Sequence, residues 1–166
     1  REFRRVLFRS ILLTESDFEF AIVQALQTRG SASGVDRAYI FENSISEKSG
    51  ELLMSQKYEW TKPGILSQKE NDRLINLSYK EFAPSLYNKL VRNEIFSYLV
   101  KNLDEAEREL LEAQGIKAII IFPIFIKDSF WGFIGFDNVH SEELWTSSEE
   151  SILVAASASI GGAIER

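Results

Sequence analysis

Cysteine is absent from the 166 residues. That excludes disulfides, thiolate zinc sites, thiol nucleophiles and thioether-linked chromophores, and it suits a cytoplasmic protein. Long hydrophobic runs are also missing. The longest, residues 118–126, is interrupted by Pro123, far short of the roughly 20 residues that span a bilayer. It reads as a buried strand. Positive charge is scarce, with 19 Lys and Arg against 25 Asp and Glu and a net charge of −6. Nucleic acid and anionic membrane are poor partners for so acidic a chain. No HExxH, GxSxG or phosphate-loop spacing occurs, and each of those chemistries needs its own spacing.

What is present is the composition of one soluble globular domain, 45% apolar and 27% charged, with twelve Phe, five Tyr and three Trp. The chain begins at Arg1 and ends at Arg166 inside a helical pattern, so the expectation is a piece of a longer polypeptide. Residues 1–10 set four Arg and one Glu among Phe3, Val6, Leu7 and Phe8 in neither a helical nor a strand period. They resemble a translated sequencing adapter and are treated as a non-native leader; the other reading is a basic first turn of the next helix. The single domain is then 11–166. Without the leader the net charge falls from −6 to −9.

Hydrophobic spacing predicts a helix over 15–28 with Phe18, Ile22, Ala25 and Leu26 on one face and a stop at Gly30. Strands follow at 34–45, with Val35, Arg37, Tyr39 and Phe41 sharing a face, and at 52–61, joined as a hairpin. Residues 65–84 are irregular, and so long a connection is often functional. A short helix over 85–91 buries Leu86, Leu90 and Val91. A third strand covers 94–100. A helix over 104–114 is capped by Asp104, with Glu107 completing a box-like pair and Gly115 ending it. Strands 116–126 and 130–139 are apolar on both faces, as central strands covered on both sides are. Gly132 and Gly135 within the second allow a bulge or a close backbone approach. Thr146 and Glu149 form a capping box that opens a helix running to Arg166. Gly161 and Gly162 inside it each cost about 1 kcal/mol relative to alanine, a cost that close packing against another helix or the sheet would offset. The order of elements is that of an α+β sandwich around an antiparallel sheet.

The second half carries Glu107-Arg108 with Leu110, Leu111 and Gly115-Ile116, then Phe122-Pro123-Ile124, then Phe130-Trp131-Gly132-Phe133-Ile134-Gly135-Phe136. After these come Trp145-Thr146, Glu149-Glu150 and the closing 160–166. With 34–43 in the first half, this ordered set resembles the GAF family over about 18–166. The resemblance implies a central antiparallel sheet of about six strands, related to PAS and profilin folds. The terminal helices pack on one face and loop-helix segments, with any ligand pocket, on the other. It also implies a sensory module, closest to the PAS-associated GAF domains of prokaryotic sensor histidine kinases. Catalysis would then reside in other domains of the parent protein.

No bilin-attaching cysteine and no redox cysteines are present, so the covalent bilin and methionine sulfoxide reductase subclasses do not fit. Asn88-Lys89, Phe96 and Asp104-Glu105 occur in the order of the cyclic-nucleotide subclass, but chance supplies that spacing easily. His140 follows a strand in a polar loop and reads as exposed rather than as a haem ligand. Most of the clustered carboxylates Glu105, Glu107, Glu109, Glu142, Glu143, Glu149 and Glu150 read as helix N-terminal turns or solvated faces. No cofactor is expected. The candidate pocket residues are Phe41, Asn43, Trp60, Tyr87, Phe96 and Phe136, each of which also reads as core. Trp131 and Trp145 read as packing at the sheet–helix junction. A coupling or homodimer face is expected on the terminal helices at Phe18, Ile22, Ala156, Ile160 and Ala163. Two roles follow: sensing of a small molecule beneath 62–91, or ligand-free structural coupling. Output through a cyclase, a phosphodiesterase or a transcriptional regulator is the alternative to a kinase.

Overall fold

The computed structural model describes residues 13–27 and 34–166. The expected leader 1–10 and the helix stop at Gly30 lie outside the described residues. The helices are α1 (Glu15–Gln27), α2 (Tyr79–Phe82), α3 (Pro84–Leu90), α4 (Glu105–Glu112) and α5 (Ser147–Glu165). The strands are β1 (Arg37–Ile45), β2 (Leu52–Thr61), β3 (Leu77–Ser78), β4 (Phe96–Leu99), β5 (Ala118–Ile126) and β6 (Ser129–Asn138). Among the described residues the strands form one antiparallel six-stranded sheet, in the order β3-β2-β1-β6-β5-β4.

The sheet separates two cores because its central strands are apolar on both faces. Ala38, Ile40, Ala118, Ile120, Phe122, Ile124, Ile134 and Phe136 point to one side, where they pack with Phe18 and Ile22 of α1 and Leu153, Ile160 and Ile164 of α5. Tyr39, Phe41, Ile119, Ile121 and Phe133 point to the other side. Leu74, Leu77, Tyr79, Ala83, Leu86, Leu90 and Leu110 cover them there. Val35, expected on the face of Tyr39, belongs instead to the α1–α5 core, because β1 and its alternation begin only at Arg37.

Local chemistry accounts for the boundaries. Thr14 and Asp17 exchange backbone-to-side-chain bonds at the start of α1. The two residues between β5 and β6, Lys127 and Asp128, have φ of 50° and 66°. Two successive positive values make the two-residue hairpin turn that matches strand twist. Thr146 Oγ1 accepts from the Glu149 N–H, and Glu149 Oε1 accepts from the Thr146 N–H. Thr146→Ala is therefore expected to lower stability by about 1 kcal/mol, read as a shift of the urea midpoint at unchanged slope.

Several expectations are corrected. The irregular stretch contains a 3-10 turn at Asp72–Leu74, the edge strand β3 and the helix α2. Val91, expected in the buried set of its helix, is 40% exposed, because α3 ends at Leu90. Asp104 does not bond the amides of its own helix. Its carboxylate accepts from Ser85 Oγ, and Glu107 reaches α3 rather than back to its own cap. Within this domain the glycines of α5 leave room for a side chain. A Cβ at Gly161 would meet only Ile124 Cγ2 at 3.8 Å, and one at Gly162 only the Arg166 side chain at 3.6 Å. Gly161→Ala is expected to stabilise by about 0.5–1 kcal/mol, measured by the same denaturant titration.

Candidate functional site

Alternation along β1 places Arg37, Tyr39, Phe41 and Asn43 on the face covered by α2, α3 and α4. Register decides what Arg37 meets. It lies directly across from Asp137 on β6. On β2, Glu59 pairs with Tyr39, two residues along. Arg37 Nη1 donates to Asp137 Oδ2 at 2.5 Å, Nε to Glu59 Oε2 at 2.6 Å and Nη2 to Gln56 Oε1 at 2.7 Å. A longer bond, 3.3 Å, runs from Nη1 to Gln114 Oε1. The guanidinium also lies 4.5 Å from the Tyr39 ring centroid. Arg37, Glu59 and Asp137 are all at most 3% exposed.

Burial opposes the Arg37 charge, but Asp137, Tyr39 and Glu59 outweigh it, and its pKa lies above the ordinary value. Burial pushes Asp137 up to about 6, against the pull of Arg37 and the Tyr39 hydroxyl. Tyr39 is held well above its ordinary range by burial and by Asp137, whose carboxylate accepts its O–H at 2.7 Å. A carboxyl whose folded pKa exceeds its unfolded value, about 3.9, stabilises the fold fully below the unfolded value. That contribution is lost as pH rises through the folded pKa. Asp137 should therefore make stability decline between about pH 4 and 6. Asp137→Asn is expected to flatten that part of a stability-versus-pH profile.

The network also fastens the loop after β2. Glu59 Oε1 accepts from Ser67 Oγ at 2.5 Å, and its Oε2 accepts from the Gln68 N–H at 2.8 Å. Beside the network, between the sheet and the covering elements, is a cavity of about 50 Å³. Its walls are almost wholly apolar, with Phe41, Met54, Leu86, Phe96, Ile119 and Ile121 among them. The polar exceptions are Arg37, Tyr39, Glu107 and Gln114.

Glu107 is 2% exposed. Its Oε2 accepts from the Leu86 N–H at 2.9 Å, in the first turn of a helix whose N-cap, Ala83, offers no side-chain oxygen. Burial raises its pKa, and the bonds from Leu86 and Ser85 only partly offset that. Its Oε1 has no hydrogen-bond partner among the described residues. Sequence reasoning counted Glu107 among solvated helix carboxylates. Its burial depends on α3 docking over α4, a contact that local spacing does not encode.

The candidate pocket residues divide between the two faces. Phe41 and Phe96 line the cavity. Tyr87 lies on the same side but borders an outer groove of about 370 Å³ with Tyr79, Pro84 and Glu51. Asn43 shares that face as a structural bridge, its Oδ1 accepting from the Tyr79 hydroxyl and its Nδ2 donating to the Phe130 carbonyl. Trp60 and Phe136 point the other way, into the α1–α5 core. No single cavity is lined by all six, because the face each strand residue takes is set by the alternation within its own strand. Among the helix residues expected to couple to a partner, Phe18, Ile22 and Ile160 are buried inside the domain's own core. Ala156 and Ala163 are half-buried. Trp145 joins the α1–α5 core, and Trp131 packs at its edge. The His140 side chain is 67% exposed, with Nδ1 2.9 Å from Asp36 Oδ2.

A sheet in this order, with terminal helices on one face and a loop-helix cover over a cavity on the other, has relatives among known proteins. The model of the GAF domain matches residues 21–164. The chain belongs to the GAF family. It is 46% identical over 155 residues to the methanogenesis regulatory histidine kinase FilI of Methanothrix harundinacea (strain 6Ac). That match covers 93% of this chain, which spans about a sixth of the relative's length, 17%. Among solved structures, a red/green cyanobacteriochrome in its red light-absorbing state superposes with a TM-score of 0.68 at 16% identity. The match covers 91% of this chain and 90% of that one. A phycocyanobilin-bound GAF domain from a cyanobacterial phytochrome superposes with a TM-score of 0.64 at 19% identity, covering 98% and 91%. At such identities the likeness is one of fold. The GAF domain described here has no cysteine, so a thioether-attached chromophore has no anchor in it. None of its described helices is long and apolar enough to cross a membrane.

Proposed function

We propose that this GAF domain is the sensory module of a cytoplasmic signalling protein, a sensor histidine kinase of a two-component system. It binds a small molecule in the cavity under α2 and α3, and the response leaves through α1 and α5 toward adjacent PAS or kinase domains. Catalysis belongs to those other domains. The observation that carries this reading is the cavity itself. It is apolar, carries a few buried polar groups and adjoins the same strands whose other face holds the terminal helices. Pockets of that composition are the usual small-molecule sites. The match to a regulatory histidine kinase supports the output. At about 50 Å³ the cavity holds only a few heavy atoms, so a larger ligand must displace α2 and α3. The test is a metabolite screen by thermal shift, followed by hydrogen exchange on any hit. Binding should slow exchange in α2–α3 and alter it in α5. A domain whose melting point answers to no compound, with unchanged exchange in α5, would refute the proposal.

A second reading, ligand-free coupling through a homodimer, is favoured by one observation. Phe20 on α1 is 66% exposed and Val154 on α5 is 42% exposed, and both helices lie on one face of the sheet. The paired surface would be this outward side, since Phe18, Ile22 and Ile160 are occupied internally. Sedimentation at high micromolar concentration tests it: a concentration-dependent dimer lost in Phe20→Glu supports coupling, and a strict monomer opposes it.

A further inference from the structure

The cavity has one unmet hydrogen-bonding demand. Glu107 is one of the few polar residues lining it, and its Oε1 has no hydrogen-bond partner among the described residues. A buried polar atom without a partner costs about 1–3 kcal/mol, more for a charged group. The same atom becomes a strong, orienting contact once a donor reaches it.

The other polar groups of the lining narrow what that donor can belong to. The Tyr39 hydroxyl is given to Asp137. The Gln114 Nε2 donates to the Leu110 carbonyl at 3.2 Å. Arg37 faces two carboxylates, Glu59 and Asp137, so its charge is already more than matched. A carboxylate or phosphate ligand would enter a region with excess negative charge. An amide would bring a carbonyl that needs a donor; the Tyr39 hydroxyl is engaged and Gln114 has one N–H left beside the one given to Leu110, whereas an ammonium needs no donor from the wall. An ammonium group brings donors only. Its first N–H meets Glu107 Oε1, and Gln114 Oε1, which accepts one long bond from Arg37, keeps a second lone pair for another.

We propose that the cavity selects a small primary amine, with its ammonium on Glu107 Oε1 and a short apolar body among Phe41, Phe96, Leu110, Ile119 and Ile121. This rests on the small-molecule sensing reading and names the ligand class. It also couples the ligand to the lid, because the other oxygen of the same carboxylate holds the first turn of α3 through the Leu86 N–H. An ammonium on Oε1 fixes the Glu107 carboxylate in its charged form, which strengthens the bond to Leu86 and tightens α3 over the cavity.

The probes are n-butylamine, n-butanol and butyrate at pH 7.5, titrated into the full chain and followed by amide chemical shifts. Butylamine is expected to shift the Leu86, Glu107 and Leu110 amides saturably, at least about tenfold more tightly than butanol, with no response to butyrate. Glu107→Gln should abolish the preference for amine over alcohol. Since that change also weakens the α3 contact, Ala83→Leu serves as a second variant. It keeps Glu107, fills the cavity and should remove binding of amine and alcohol alike. Butyrate or butanol binding as tightly as butylamine overturns amine selection and leaves small-molecule sensing standing. Failure of all three probes overturns the amine proposal; if a metabolite screen also fails, sensing falls with it.

Discussion

Arg37→Met is expected to destabilise the domain by about 3–5 kcal/mol, the range for removing one partner of a buried ion pair. The loss does not measure what the pair contributes. Taking three charged groups out of water is costly in itself, and a well-packed apolar trio in their place is often no less stable. It measures what remains: Glu59 and Asp137, 1% and 0% exposed, facing each other's charge without a cation. Glu59 is also the anchor of Ser67 and Gln68, so the loop after β2 should loosen with it. Against a typical total of about 5–15 kcal/mol, the variant should melt roughly 10 °C or more below the parent domain. Its pH dependence should be distinctive. Arg37 is the largest influence lowering the Asp137 pKa, so without it Asp137 rises above about 6 and keeps its proton to higher pH. The variant should therefore lose less stability at pH 5 than at pH 8. Denaturant titrations at the two pH values check this. Equal losses would mean that Asp137 does not bear the uncompensated charge.

That network marks the boundary of what could be read from the chain. The doubly apolar strands, the capping box at Thr146 and the glycine-bearing β6 are local patterns, and each predicted its element within a few residues. The six-stranded sheet with helices on both faces followed from their order together with the family resemblance. The signal for the ionic network was present but unread. Arg37 shares a strand face with Tyr39 and Phe41, and Asp137 is the one charged residue of a largely apolar strand. A charge inside a doubly covered strand demands a partner. Which partner depends on the register of three strands up to 100 residues apart in sequence, which alternation alone does not supply. The same limit explains the divided pocket set. Aromatic content suggested a lined cavity, but the face of each ring depends on where alternation starts in its own strand. Trp60 and Phe136 therefore went to the helical core, while Phe41 and Phe96 reached the cavity. Glu107 was misread because charge near a helix N-terminus is usually solvated. Here another helix docks over it.

The second large effect is expected at Gly132. A Cβ there would lie 2.0 Å from the Phe41 carbonyl oxygen and 3.1 Å from its carbon. Both atoms belong to the backbone of the neighbouring strand, so no rotamer change relieves the clash. β1 would have to move away from β6 at the centre of the sheet, where Glu42 pairs with Gly132 and Phe41 with Phe133. That movement would open the Phe41–Phe133 stack, whose centroids are 4.8 Å apart, and with it one wall of the cavity. Gly132→Ala is therefore expected to cost about 3 kcal/mol or more, at the upper end for overpacking. Gly135 is the instructive comparison. Its Cβ would meet the Tyr39 ring at 2.3 Å, and a ring can swing where a backbone cannot. Swinging it breaks the bond to Asp137 and uncovers the Arg37 network, so Gly135→Ala should destabilise while keeping the β1–β6 ladder. Urea unfolding gives the two magnitudes, and amide exchange of β1 separates the mechanisms. Fast exchange in β1 is expected for Gly132→Ala and protection for Gly135→Ala. A Gly132→Ala domain with parental stability would mean that β1 and β6 do not meet in this register, and the cavity built on that register would go with it.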